Sequence, residues 1–318
     1  MKTEVEPKAK IKVMPGSAFK IETADYLPKL HQLMIFNGKR GSGKSVAATN
    51  LLRMYKETGT CEKIIVISPT FNSNKALMKD LDIKEEDIFT DPDDPSIIQQ
   101  IVNIIDGERD EFLRYQHLVK NYKRIMKSIN SGILTIDNDD LDQYLLAYYD
   151  VVNNKFNLPK PRYECYKQNR PPVIFLFVDD SICTKLMSNR KFFNLALKHR
   201  HLGAFPTGGA VGLSILIAIQ NYKAQSGGCN KVIRNNCVSG VFFKSRDESE
   251  VKQIADSFAG EIPVEKFIKL YEIATEEEHS FLFVDLHKKK NQPSMFRKRF
   301  DTYLIPDEIS DEKISTET

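Results

Sequence analysis

The chain has 318 residues, 41% of them hydrophobic, which is enough for a substantial core in one large or two modest domains. With 46 Lys and Arg against 43 Asp and Glu the net charge is +3, so composition alone does not mark a nucleic-acid binder and any basic surface has to be local. The five cysteines form no C-x-x-C pair and no apolar h-region opens the sequence, so reduced thiols, no secretory signal and an intracellular setting are expected. His199 and His201 have no cysteine or carboxylate cluster beside them, which argues against zinc, and no apolar run approaches the length of a membrane span.

In chain order, residues 1–30 read as an N-terminal arm. Leu33 to Phe36 then read as a buried strand running into Gly38-Lys39-Arg40-Gly41-Ser42-Gly43-Lys44-Ser45. That octet fits G-x-x-x-x-G-K-[ST] without a mismatch, and Val46 to Leu52 continues as a helix to about Glu57. A strand, a glycine-rich loop and a helix together make a phosphate cradle. Glycines let successive N–H groups point inward, and the helix start adds partial positive charge. Lys44 is placed to reach the β- and γ-phosphates of a nucleotide such as ATP, and Ser45 to sit on Mg²⁺. Lys39 and Arg40 are extra cations on the loop, facing solvent or a neighbour.

Lys63 to Ser68 is a second buried strand, and Asp87 to Thr90 a short third one. From 96 to about 165 the pattern turns helical and polar. Helices are expected over Ile97–Ile105, Glu111–Ile129 and Asp139–Val152, forming an insertion that suits a lid, an inter-subunit contact or a plain packing appendage. Residues 155–172 read as a loop. Pro172 to Val178 is the most hydrophobic strand and ends at Asp179-Asp180-Ser181. Phe192 to His199 reads as a helix and Gly212 to Ile219 as a strand ending at Gln220. Val238 to Lys244 is another strand, followed by helices over Asp247–Phe258 and Val264–Ala274. Phe281–Leu286 and Met295–Leu304 close the series, and the tail from Pro306 reads as disordered. Continuous apolar strands alternating with helices give an α/β fold with a mainly parallel sheet covered on both faces.

The strand ends of such a sheet open on one edge, where ligands bind. Asp179 there has the character of a magnesium-orienting carboxylate, acting directly or through water, and Asp180 lies where a general base for attacking water would sit. A helix N-cap by Asp180 or Ser181 is the competing reading for one of them. Gln220 can sense the γ-phosphate or hold the water, or be a surface amide. Arg200, or else Arg234, could reach a neighbouring subunit's nucleotide, or be a surface ion pair.

VIFLFVDDS, RHLG, SILIAIQN and KVIRNNCVSGVFFKSRDESEVKQIA, in that order, resemble the FtsK–HerA superfamily of DNA-pumping ATPases, most of all the poxvirus-type genome-packaging ATPases of large nucleocytoplasmic DNA viruses. The resemblance covers roughly residues 31–60 and 172–260. It implies a RecA-like P-loop NTPase core of the ASCE type spanning 31–305. It also implies ATP and Mg²⁺ as cofactors, a homo-oligomeric ring (a hexamer above other sizes), and double-stranded DNA as the translocated partner. Capsid or membrane-associated viral proteins would be further partners, and virus assembly sites in the host cell, or the virion, the location. It assigns Lys44 and Ser45 to Walker A, Asp179 to Walker B, Gln220 to the strand-end glutamine and Arg200 to the trans-acting arginine. Asp180 departs from the Glu of cellular members and is one methylene shorter. A helicase-like or conjugation-type pump and a nucleotide-gated scaffold with slow hydrolysis are the competing readings. For DNA contact the expected groups are Lys223, Lys231 and Arg234, and the C-terminal cluster Lys288, Lys289, Lys290, Arg297, Lys298 and Arg299.

Overall fold

The computed structural model describes residues 21–131, 148–150, 155–162, 170–181, 183–222 and 229–306. The expected helix over 139–147, the loop carrying Lys223, Gly227 and Gly228, and the tail after Pro306 lie outside these residues.

Strand β1 (Leu33–Asn37) leads through the glycine-rich loop into helix α1 (Lys44–Glu57). Thr58 and Gly59 end α1 as expected, Gly59 taking the left-handed conformation that closes helices. Strand β2 (Lys63–Ile67) is followed by α2 (Phe71–Met78), a helix that the sequence pattern did not announce. Strand β3 (Ile88–Phe89) precedes α3 (Ile97–Ser131). The two helices expected here are one continuous rod of 35 residues, roughly 52 Å long. Gly107 lies inside it. A mid-helix glycine costs about 1 kcal/mol, which is not enough to break a rod whose buried face runs on through Ile101, Ile105, Phe112 and Tyr115.

The end of the expected third helix is also different: β4 (Tyr149–Asp150) pairs with β5 (Lys155–Phe156) as an antiparallel hairpin. Next come β6 (Ile174–Val178), α4 (Arg190–Lys198), β7 (Ser214–Ile219), α5 (Lys231–Asn236) and β8 (Ser239–Phe243). Helices α6 (Glu248–Phe258) and α7 (Val264–Ala274) match expectation, with the Asp247 side chain accepting from the N–H groups of Ser249 and Glu250 as an N-cap. Strand β9 (Phe281–Asp285) follows. Met295–Leu304 is a tight hairpin of β10 (Phe296–Lys298) and β11 (Thr302–Leu304), not one strand, because Arg299 turns the chain with φ of 55°.

All of these strands except β4 and β5 join in one sheet of order β11-β10-β9-β8-β1-β7-β6-β2-β3. From β8 to β3 the neighbours run parallel, and β9, β10 and β11 extend the sheet antiparallel. The strand carrying the phosphate loop and the strand ending in Asp179 are thus separated by β7. Side chains alternate between two cores, as a strand period of two requires. Leu33, Ile35, Ile215, Ile217, Leu176 and Val178 face the layer of α3 to α7. Met34, Phe36, Val66, Phe177 and Leu216 face α1 and α2. No helix among the described residues is long and apolar enough to cross a membrane.

Two buried ion pairs brace this frame. Lys63 Nζ lies 3.0 Å from Asp87 and 3.3 Å from Glu108, joining β2 to α3. Arg170 meets Glu62 with both guanidinium branches, at 2.6 Å and 3.0 Å, and also donates to Gly59 O, while Val173 N–H donates to the same carboxylate. Removing one member of such a pair strands the other charge. Glu62→Ala is expected to lower unfolding free energy by about 3–5 kcal/mol, read by urea denaturation; a loss under 1 kcal/mol would mean that Arg170 finds water instead.

Candidate active site

Parallel strands β1, β2, β6 and β7 all end on the same edge, and the residues following them meet there. Gly38 N–H donates to Ile219 O at 3.1 Å, stitching the start of the loop to the end of β7. The loop is tightly drawn. A Cβ on Gly38 would meet Ser42 Oγ at 2.6 Å and Phe243 Cβ at 2.8 Å. Gly43 takes φ of 102°, which side chains rarely adopt, and its carbonyl accepts the Ala47 N–H at 2.9 Å. Gly41 also has positive φ, while Lys39 and Arg40 stand exposed on the crest.

Lys44 is buried, and its ammonium donates to Lys39 O at 3.0 Å. Burial pulls its pKa below the usual lysine value, while the carboxylates of Asp179 and Asp180 push the other way. The Ser45 hydroxyl donates to Asp179 Oδ2 at 2.8 Å, across the intervening strand β7. Asp179 is fully buried. Its N–H donates to Ile67 O at 2.9 Å, and its Oδ1 accepts the Asp180 N–H at 3.1 Å. Burial raises its carboxyl above the usual range. The Ser45 hydroxyl opposes that rise, Asp180 adds to it and Lys44 opposes it.

Asp180 sits in the left-handed region with φ of 47°, a conformation that costs a non-glycine residue about 1–3 kcal/mol. The turn aims its carboxylate across the edge. One oxygen accepts the Thr70 hydroxyl at 3.0 Å, and the other lies 3.5 Å from Gln220 Nε2. The Ser181 hydroxyl donates to Asp179 O at 3.1 Å. No α-helix starts there: the next, α4, is capped by Asn189.

The structure therefore brings Lys44, Ser45, Asp179, Asp180 and Gln220 into one group. It does not bring Arg200 to them. His199 beside it lies 2.9 Å through Nε2 from His31 O and accepts the Leu213 N–H at 2.8 Å. These contacts precede β1 and β7, so Arg200 stands exposed at the opposite edge of the sheet, about one strand length (~17 Å) away. Arg234 lies in α5 ahead of β8, its guanidinium 5.1 Å from the Tyr222 ring centre.

Two residues of the edge escaped the sequence. Thr70 follows β2 just as Gln220 follows β7, so the strand-end rule would have found it. His279 has no such signal. It reaches the loop from the turn before β9, with Nδ1 3.2 Å from Ser42 O.

Ser45 and Asp179 offer hydroxyl and carboxylate oxygens close together, the donor set a hard divalent cation takes, so the site fits Mg²⁺. Among the described residues no cluster of His, Cys, Asp and Glu suits another metal.

No known family profile matches the chain, and no curated protein does. Solved structures do. The genome packaging NTPase B204 of Sulfolobus turreted icosahedral virus 2, in complex with ATP-gammaS, is 11% identical over 84% of this chain and 96% of its own, with a TM-score of 0.42. The pCW3 conjugation coupling protein TcpA with ATPgS is 16% identical over 93% of this chain and 73% of its own, TM-score 0.44. EssC (ATPases 2 and 3) of Geobacillus thermodenitrificans is 13% identical over 89% of this chain and 41% of its own, TM-score 0.40.

A buried carboxyl with a raised pKa stabilises the fold below the unfolded value, and that contribution is lost as pH rises through the folded value. The raised carboxyl of Asp179 therefore costs the nucleotide-free fold stability as pH rises. Asp179→Asn is expected to raise its melting temperature at pH 7, with the gain shrinking as pH falls through the carboxylate range. A melting temperature that drops at pH 7 would show the carboxylate to be stabilising.

Proposed function

We propose that the chain is an ATP-hydrolysing motor that moves double-stranded DNA, and that its task is loading a viral genome into a capsid. The observation that carries the hydrolase reading is the convergence of Lys44, Ser45, Asp179, Asp180 and Gln220 on one sheet edge. The sequence resemblance around residues 172–260 supports the DNA task.

The geometry supports the following roles. The glycine-rich loop binds the β-phosphate through its N–H groups, and Lys44 draws charge from the β- and γ-phosphates. Ser45 and Asp179 would hold Mg²⁺, which would supply neutralisation of the charge that develops on the phosphate oxygens. Asp180, held strained toward the open edge, takes the proton of the attacking water. Gln220 steadies that carboxylate and reads the γ-phosphate from the end of β7. Arg200 faces away from its own site, so it acts only on a neighbour's nucleotide in a ring. An arginine acting in trans is worth about 10³–10⁵ in rate. A hexamer, intracellular virus assembly sites and capsid proteins as docking partners belong to the same reading.

The purified chain should hydrolyse ATP, and Lys44→Ala should lower kcat at least about 100-fold, since phosphate-loop charge is an electrostatic transition-state contact. Double-stranded DNA should raise the rate, less so as salt increases. Hydrolysis indifferent to DNA of any length would favour the nucleotide-gated scaffold. Transfer of a labelled duplex without any capsid would favour a conjugation-type pump.

Mixing Arg200→Ala subunits with Asp180→Asn subunits tests the shared site. Partial recovery of ATPase activity, above that of either variant alone, is expected. No recovery at any ratio removes Arg200 from the mechanism.

A further inference from the structure

The C-terminal basic cluster, the densest in the sequence, is largely occupied by the fold itself. Arg297 is 1% exposed and donates to Tyr26 O at 2.6 Å. Lys289 donates to Thr23 O and Ala24 O, and Lys288 to Gln292 O. Lys298 and Arg299 both pair with Glu277 at 2.8 Å. These cations clamp residues 23–26 to the last strands and shape a hairpin. That geometry turns Lys288, Lys289 and Arg297 inward, while Lys290 and Arg299 stay exposed.

A different surface carries unspent charge. The distal half of α3, residues 112–131, holds five Lys and Arg and no acid. Lys120, Lys123, Arg124 and Lys127 are all exposed, and none has an ion-pair partner among the described residues. Their spacing of three, four and seven places them on a single helix face. The other side carries Tyr115 and Ile125, which are buried. Four cations thus lie along roughly 10 Å of helix, a density close to the about 3.4 Å repeat of phosphates on one DNA strand.

The neighbouring surface has the same sign. From Ser181 to Arg246 the chain has ten Lys and Arg and no Asp or Glu. That stretch includes α4, whose following loop packs on α3: Phe205 meets Phe112 at 6.0 Å between ring centres. On α4 itself, Arg190, Lys191 and Lys198 are exposed. A long helical rod whose distal half offers cations without carboxylates of its own, beside a stretch of chain that carries no acid, is matched to a polyanion of regular charge spacing.

We infer that the face of α3 formed by Lys120, Lys123, Arg124 and Lys127 is the surface that grips the phosphate backbone of double-stranded DNA. The inference rests on the motor reading and names the contact that reading requires. It assigns a job to the long insertion helix, distant in sequence from the catalytic edge. The contact is with phosphates, so it is indifferent to base sequence, as a translocated genome demands.

The test uses the full chain and a fluorescent 30-bp duplex, with anisotropy titrations across a range of salt concentrations. Each phosphate contact contributes about 0.9 to the slope of log K against log salt. The variant K120Q/K123Q/R124Q/K127Q is expected to lose about 3 to 4 from that slope, and its DNA-stimulated ATPase with it. Its basal ATPase without DNA should stay at the wild-type level, which also shows that it folds. Lys123→Glu alone, on an exposed position, should weaken binding in the same direction, and Arg124→Lys should leave it unchanged. If the wild type binds duplex and the quadruple variant keeps the same slope, the inference is overturned, and the face belongs to solvent or to the chain's own acidic run at 137–142. If the wild type itself binds no duplex, the motor reading falls, and the inference with it.

Discussion

The hydrogen bond from Ser45 to Asp179 Oδ2 joins the ends of two strands that are not neighbours. It can form only because β7 lies between β1 and β6 in strict parallel register, with Phe36 beside Ala218 and Phe177 beside Leu216. A slip of one residue along either pairing would turn every buried side chain to the other face. The two hydrophobic cores therefore do more than stabilise the sheet. By fixing register on both faces, they fix the distance between the hydroxyl and the carboxylate.

The same rigidity explains why strain is tolerated at this edge. Asp179 is held on three sides, by Ile67 O, Ser181 and Ser45. Asp180 is thereby forced into a left-handed turn, and its carboxylate spans the gap between the β2 and β7 ends, where Thr70 and Gln220 meet it. Three strand ends thus converge on one carboxylate. A movement of any of them changes the surroundings of the group assigned to proton abstraction. On the motor reading proposed above, this is a route by which the state of the γ-phosphate is felt in the sheet.

Charge is sorted by position as well. At the catalytic edge Asp179 and Asp180 stand opposite Lys44. At the base of β9 and β10 the cations are turned inward on carbonyl groups, as structural ties. On the distal half of α3 and on α4, cations face water with no acid in the same segment. An overall charge of +3 hides this division, because it averages a basic stretch with acidic segments elsewhere.

The phosphate loop, the order and apolar character of the central strands and the identity of Asp179, Asp180 and Gln220 were legible in the sequence. They depend on local rules: glycine where the backbone must curl, continuous apolar runs where both sheet faces are buried, polar residues where strands end. Residues whose role depends on contacts far along the chain were not legible. His279 reaches the site across 237 positions, and neither a strand end nor a periodicity records that. The single rod of α3 was hidden by Gly107, since propensity marks a weak point while tertiary packing decides whether the helix continues. The C-terminal lysines and arginines looked alike as letters. Tertiary structure alone decided that Arg297 is buried against carbonyls while Lys120, Lys123, Arg124 and Lys127 face solvent, because the fate of a charge is set by what the fold places next to it.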